Sequence, residues 1–144
     1  MKCRCAVQPV YGYMPEPLLF SIIESPLHPD FSALYRKLEI EEVKLGSMRK
    51  AIGALKSRTP DIVVAEFMYG YGNNYAGVNI SNLDVFLYSL QKYSRESDVI
   101  VMVDKREIQY VDKLSGLFPL HAVLQHPVDE QAMACCLGNR SRRE

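Results

Sequence analysis

The chain has 144 residues, 48% of them apolar and 24% charged, a composition that suits one folded domain with its own core and excludes a disordered chain. Seventeen Lys and Arg balance seventeen Asp and Glu, which leaves none of the excess positive charge that non-specific nucleic-acid binding draws on. The longest apolar runs, such as 99–103, are too short to span a bilayer. The opening MKCRCAVQPVYGYMPEP is interrupted by Gln8, Pro9, Gly12 and Pro15 where a secretion signal needs continuous apolar residues. A cytoplasmic protein without a membrane or nucleic-acid partner is therefore expected. Cysteine occurs as two close pairs, Cys3/Cys5 and Cys135/Cys136, neither with the spacing of a zinc ribbon. Reduced thiols are expected, and no cofactor.

In chain order, Leu18–Ile23 is a short apolar run between Pro17 and Glu24-Ser25-Pro26, which suits a buried strand. Asp30 is placed to cap a helix carrying Phe31, Leu34, Tyr35 and Leu38 on one side. A weaker strand follows at Glu42–Leu45. Ser47 then stands at an N-cap position before the helical stripe Met48, Ala51, Ile52 and Leu55. Thr59-Pro60-Asp61 breaks the chain ahead of Ile62–Phe67, β-branched and almost wholly apolar, as a strand covered on both faces should be. Ser81-x-x-Asp84 resembles a capping box for a helix with Leu83, Phe86, Leu87 and Leu90. Val99–Val103 repeats the buried-strand pattern. A helix with Ile108, Val111 and Leu114 is expected next, then a strand around Ala122–Gln125. Asp129 can cap a last helix with Ala132, Met133, Cys136 and Leu137, ending with Gly138 at C′.

Five strands alternating with five helices predict an α/β fold, a doubly wound parallel sheet with helices on both faces. The expected domain is 18–138, with an N-terminal extension at 1–17 and a basic tail at 139–144. In such a sheet the usable crevice lies beyond the carboxyl ends of the strands, at the switch in strand order. Glu24, Ser25, Glu66, Asp104 and His126 each stand at or just past a strand end, so function is sought there.

These residues resemble a known family, the receiver domain of bacterial response regulators, over about Leu18 to Leu137. Pro60–Met68 is similar to the family's third strand, with Glu66 where an aspartate accepts phosphate. Ile22-Ile23-Glu24-Ser25 matches the end of the first strand, which carries paired acids in the family. Asp104 falls where a Thr or Ser stands, and His126-Pro127 where the family has Lys-Pro; the resemblance implies a cis peptide there. Every chemistry-bearing position differs, so the chain resembles a degenerate receiver (a pseudo-receiver of flavodoxin-like fold).

The chemistry agrees with that reading. Phosphoryl transfer to a carboxylate needs an in-line oxygen, a divalent ion held by neighbouring acids and a cation on the phosphoryl oxygens. Glu66 is one methylene too long, and Ser25 brings no charge for Mg2+. Asp104 opposes a phosphoryl group with like charge, and His126 is cationic only part of the time near neutral pH. A Glu66–His126 ion pair closing the sheet is the plain structural alternative. A metal held by Glu24, Glu66, Asp104 and His126 is another. An ordinary hydrolase is not expected: there is no G-x-S-x-G elbow, and His28, His121 and His126 have no nucleophile at a fixed spacing.

The segment Met68–Asn79 is rich in tyrosine, glycine and asparagine and reads as an insertion after the third strand. Tyr69, Tyr71, Asn73, Asn74 and Tyr75 are candidates either for a cover over the degenerate pocket or for a partner-binding loop. Its G-x-G lacks a P-loop lysine. The expectation is a non-enzymatic, phosphorylation-independent signalling module that acts through protein–protein contact, including self-association as a homodimer. By resemblance, Ile108–Leu117 and Glu130–Leu137 are the contact elements. The alternatives are an Mg2+-dependent phosphoacceptor and a small-ligand or metal-binding α/β protein.

Overall fold

The computed structural model describes residues 16–69 and 81–138. The expected extension (save residues 16 and 17) and basic tail lie outside them, as do Cys3, Cys5, Tyr71, Asn73, Asn74 and Tyr75. Five strands, β1 (Leu18–Ile22), β2 (Glu41–Leu45), β3 (Ile62–Glu66), β4 (Asp98–Val103) and β5 (Ala122–Gln125), form one sheet in the order β2-β1-β3-β4-β5. Every pairing is parallel. The helices are α1 (Ser32–Lys37), α2 (Met48–Leu55), α3 (Asp84–Tyr93), a 3-10 helix (Lys105–Gly116) and α4 (Glu130–Gly138). This is the doubly wound arrangement that the alternation predicted. None of the described helices is long and apolar enough to cross a membrane.

Burial follows strand position. β1, β3 and β4 are buried at every residue, because both of their faces are covered. The edge strands β2 and β5 are only partly buried. Alternation splits the core into two layers. Phe20, Ile22, Val63, Ala65, Val99, Val101 and Val103 face Leu55 of α2, Phe86, Leu87 and Leu90 of α3, and Val111 and Leu114 of the 3-10 helix. On the other face, Leu19, Ile62, Val64, Ile100 and Met102 pack against Leu34 and Tyr35 of α1 and Met133 and Leu137 of α4.

The capping residues act largely as their side-chain chemistry requires. Ser47 accepts from the Lys50 N–H at 3.1 Å, and Asp129 from the Ala132 N–H at 2.8 Å. Asp84 Oδ1 reaches back to the Ser81 N–H at 2.8 Å, but Ser81 Oγ accepts from Leu83 and not from Asp84, and α3 begins at Asp84 with Leu83 at its N-cap, so only the acid's half of the box forms. Asp30 accepts from the Ser32 N–H, one turn position earlier than a full N-cap bond, and α1 starts at Ser32.

Three expectations need correction. The segment after β4 winds as a 3-10 helix, not an α-helix. Ile108, Val111 and Leu114 recur every three residues, which is the repeat of a 3-10 turn, so that winding stacks Val111 and Leu114 on one buried line. Leu38, assigned to the buried stripe of α1, follows the helix end and is 43% exposed. Gly138 is the last residue of α4 and does not lie beyond it.

Ile100 lies at the centre of β4 and is fully buried. Ile100→Ala leaves a cavity that neighbours on both paired strands cannot fill, and should cost about 2–5 kcal/mol in urea unfolding.

Candidate functional site

The sheet order reverses between β1 and β3, so the crevice expected of such a fold opens past Ile22 and Glu66. β3 is apolar and buried up to its last residue, and that residue is a glutamate. Glu66 is only 3% exposed. A carboxylate this deep is costly unless neighbours satisfy it, and the loops around β3 supply them.

Ser25, three residues past β1, donates its hydroxyl to Glu66 Oε2 at 2.6 Å. His28, on the same loop, places Nδ1 3.7 Å from Glu66 Oε1, and its side chain is 2% exposed. Neither Nδ1 nor Oε1 has a hydrogen-bond partner, so the two buried atoms face each other across a gap slightly too wide for a bond. The other ring nitrogen, Nε2, lies 3.5 Å from Ser21 Oγ. His126, just past β5, brings Nε2 to 4.0 Å from Glu66 Oε2. The His126-Pro127 peptide is cis, as the resemblance implied. Burial alone pushes the Glu66 carboxyl up; the His28 imidazole, the Ser25 hydroxyl and the Glu24 backbone outweigh it and hold the carboxyl below the usual carboxylate range.

Asn82 holds the remaining edge. Its Nδ2 donates to Glu24 Oε1 and to the Glu66 carbonyl, both at 2.8 Å, and its Oδ1 accepts from the Met68 N–H at 2.7 Å. One amide thus ties the end of β1 to the exit of β3 and the start of α3. Glu24, Ser25, Glu66 and His126 therefore do share one rim. Asp104 stands further out. It caps the 3-10 helix through the Arg106 N–H at 2.8 Å and pairs with the Arg106 guanidinium at 3.0 Å, which holds its carboxyl below the usual range. Among the described residues, no three His, Cys, Asp or Glu side chains are grouped so as to hold a metal ion.

Beside the rim lies a groove of about 420 Å³ lined by Leu27 and Pro29 on one side, His126, Pro127 and Val128 on the other, and Asp104. Tyr69, at the exit of β3, pairs with Ser81 in an antiparallel bridge. Its ring stacks on Tyr110 of the 3-10 helix at 3.8 Å between centroids, and its N–H donates to Glu107. Tyr69 thus contacts the 3-10 helix and does not line the groove.

His28 and Asn82 were missed as site residues in the sequence. His28 lies four positions beyond Glu24 in a loop with no periodicity to mark it, and Asn82 falls inside the Ser81-x-x-Asp84 pattern at a position that pattern leaves open. The signal available was the run Glu-Ser-Pro-Leu-His directly after a buried strand.

No family model and no curated protein matches the chain. Solved structures do. The chain is similar to the signal receiver domain of a putative Luxo repressor protein from Vibrio parahaemolyticus, with 13% identity, TM-score 0.63, and coverage of 85% of this chain and 88% of that one. A response regulator receiver domain protein from Clostridium thermocellum gives 14% identity and TM-score 0.63 over 86% and 93%. The receiver domain of a sensor histidine kinase from Pseudomonas aeruginosa, solved with a magnesium ion coordinated in the active site cleft, gives 10% and 0.64 over 87% and 97%. The fold is that of a receiver domain: five parallel strands with helices on both faces. At this identity the likeness extends to the fold alone.

Because the Glu66 carboxyl is lowered on folding, its ionised form stabilises the protein. That contribution is complete above the ordinary value of 4.5 and is lost as the pH falls through the lower folded value. The stability advantage of wild type over Glu66→Gln should therefore shrink between pH 4.5 and acid conditions, read by denaturant unfolding at each pH.

Proposed function

We propose that the chain is a phosphorylation-independent, receiver-like signalling module that acts through protein–protein contact and not as an enzyme. The observation that supports this reading is the engagement of Glu66, which the resemblance puts at the phosphoacceptor position, by groups of its own chain. Oε2 takes the Ser25 hydroxyl at 2.6 Å, His28 faces Oε1 at 3.7 Å, and His126 stands where the resemblance puts the lysine that would hold a phosphoryl group. An oxygen so engaged is a poor in-line nucleophile. Asp104 adds a negative charge near the cleft, where an incoming phosphoryl group would meet repulsion.

Contact surfaces are available on one element that the resemblance named, Ile108–Leu117, and on the edge strand β5. Ile108 of the 3-10 helix is 41% exposed and Val123 on the edge strand β5 is 39% exposed, and among the described residues no strand pairs with the outer side of β5. The Tyr69–Tyr110 stack adds rigid aromatic area beside them. A partner, or a second copy, is the expected occupant, in the cytoplasm.

Intact mass after incubation with Mg2+ and a small phosphodonor should remain unchanged. A stable gain of one phosphoryl group, lost in Glu66→Gln or Asp104→Asn, would overturn the reading in favour of the Mg2+-dependent phosphoacceptor. In native lysate, Ile108→Arg with Val123→Arg should reduce recovery of the bound partner, or the dimer fraction in sedimentation, by about tenfold or more. Thermal unfolding should change little, since both side chains face solvent.

A further inference from the structure

The described ion-pair contacts of the buried Glu66 carboxylate come from His28 and His126 alone. Arginine stays protonated at any cellular pH even when buried, whereas an unperturbed imidazole gains and loses its proton between pH 5 and 8. A buried carboxylate therefore has its counter-charge only when protons are available. We propose that this rim is a proton-operated clasp, in which protonation of His28 and His126 draws the β1–α1 loop and the β5–α4 loop together onto Glu66 and narrows the groove between them.

The geometry supports each part. His28 Nδ1 and Glu66 Oε1 are buried, unpartnered and 3.7 Å apart, so a small closure of the loop gives a charge-assisted hydrogen bond. His126 approaches the other carboxylate oxygen from the opposite loop at 4.0 Å. Leu27 and Pro29 flank His28, Pro127 and Val128 follow His126, and these four line the two walls of the groove. With both imidazoles neutral, the carboxylate keeps only the Ser25 hydroxyl, and the cost of its buried charge favours release of the loops.

The other charged groups around the clasp are already engaged. Glu24 is bound by Asn82, Asp104 is paired with Arg106 and lies near His126, and Asp30 at the far end of the β1–α1 loop faces Lys44 at 3.9 Å. Glu107 on the 3-10 helix accepts from the Tyr69 N–H. The clasp is bounded on the acid side as well, because it fails once Glu66 itself protonates, below its ordinary 4.5.

This inference rests on the reading of the rim as an unphosphorylated site, and it makes the proton the input of that module. The test is a series of 1H–15N spectra of the full chain from pH 8 to 5, read at the Leu27, His28 and Val128 amides. In wild type the amides of both loops should shift together with one midpoint. Glu66→Gln should abolish that shared transition, and His126→Lys should leave the Val128 amide without it. Should Glu66→Gln unfold, His28→Gln with His126→Gln gives the same reading, again with loss of the transition. Loops that titrate independently, or a transition that survives in these variants, would overturn the clasp. So would thermal stabilisation by Zn2+ or Mn2+ at fixed pH that is lost in His28→Gln, since the gap would then belong to a cation. None of these outcomes depends on whether the protein accepts a phosphoryl group, which the intact-mass experiment decides separately.

Discussion

A single buried negative charge organises the rim of this protein. Glu66 ends a strand whose every residue is covered on both faces, and removing a carboxylate from water is costly unless each oxygen finds a partner. The surrounding loops meet part of that demand: Ser25, from the loop after β1, bonds Oε2, while His28 of the same loop faces the unpartnered Oε1 at 3.7 Å and His126, from the loop after β5, stands 4.0 Å from Oε2. Asn82 contributes one step removed, by fixing the Glu66 carbonyl and the Glu24 carboxylate. The positions of three loops thus follow from one acid.

That acid sits where it does because of topology. β1 and β3 are neighbours in the sheet although β2 separates them in the chain, and the two connections leave on opposite sides. Their divergence opens a crevice at the carboxyl edge. Receiver domains of known structure share this scaffold at TM-scores of 0.63 and 0.64, yet a scaffold does not carry its chemistry with it. One of those neighbours holds a magnesium ion in its cleft. Here the nitrogen atoms of two histidines stand next to the acid.

The sheet was legible because its central strands must be apolar on both faces, and Ile62–Phe67 and Val99–Val103 have no other reasonable place. Glu66, Asp104 and His126 were legible by position, as polar residues that stop such runs. The segment after β4 was harder, since a spacing of three residues fits one face of an α-helix over two turns and separates from it only over a longer stretch. His28 was not legible at all. Its role depends on how the loop 23–31 folds back over β3, and that path is set by tertiary contacts such as the Ser25 Oγ to Glu66 Oε2 bond, not by any periodic pattern. Asn82 shares this difficulty, because its three hydrogen bonds reach residues 14 to 58 positions away.

The rim is also joined mechanically to the face that carries the proposed contact surface. Three residues past Glu66, Tyr69 is fixed twice to the 3-10 helix, through its ring on Tyr110 and its N–H on Glu107. Asn82 grips Met68 between them. The exit of β3 therefore cannot shift without moving either the stack or the helix under it, since close-packed aromatic faces tolerate little sliding before they lose contact. A 3-10 helix is well suited to that position, because its weaker hydrogen bonds make it the element on this face most readily displaced. A displacement of the β3 exit would in this way reach the helix that carries Ile108, which is 41% exposed.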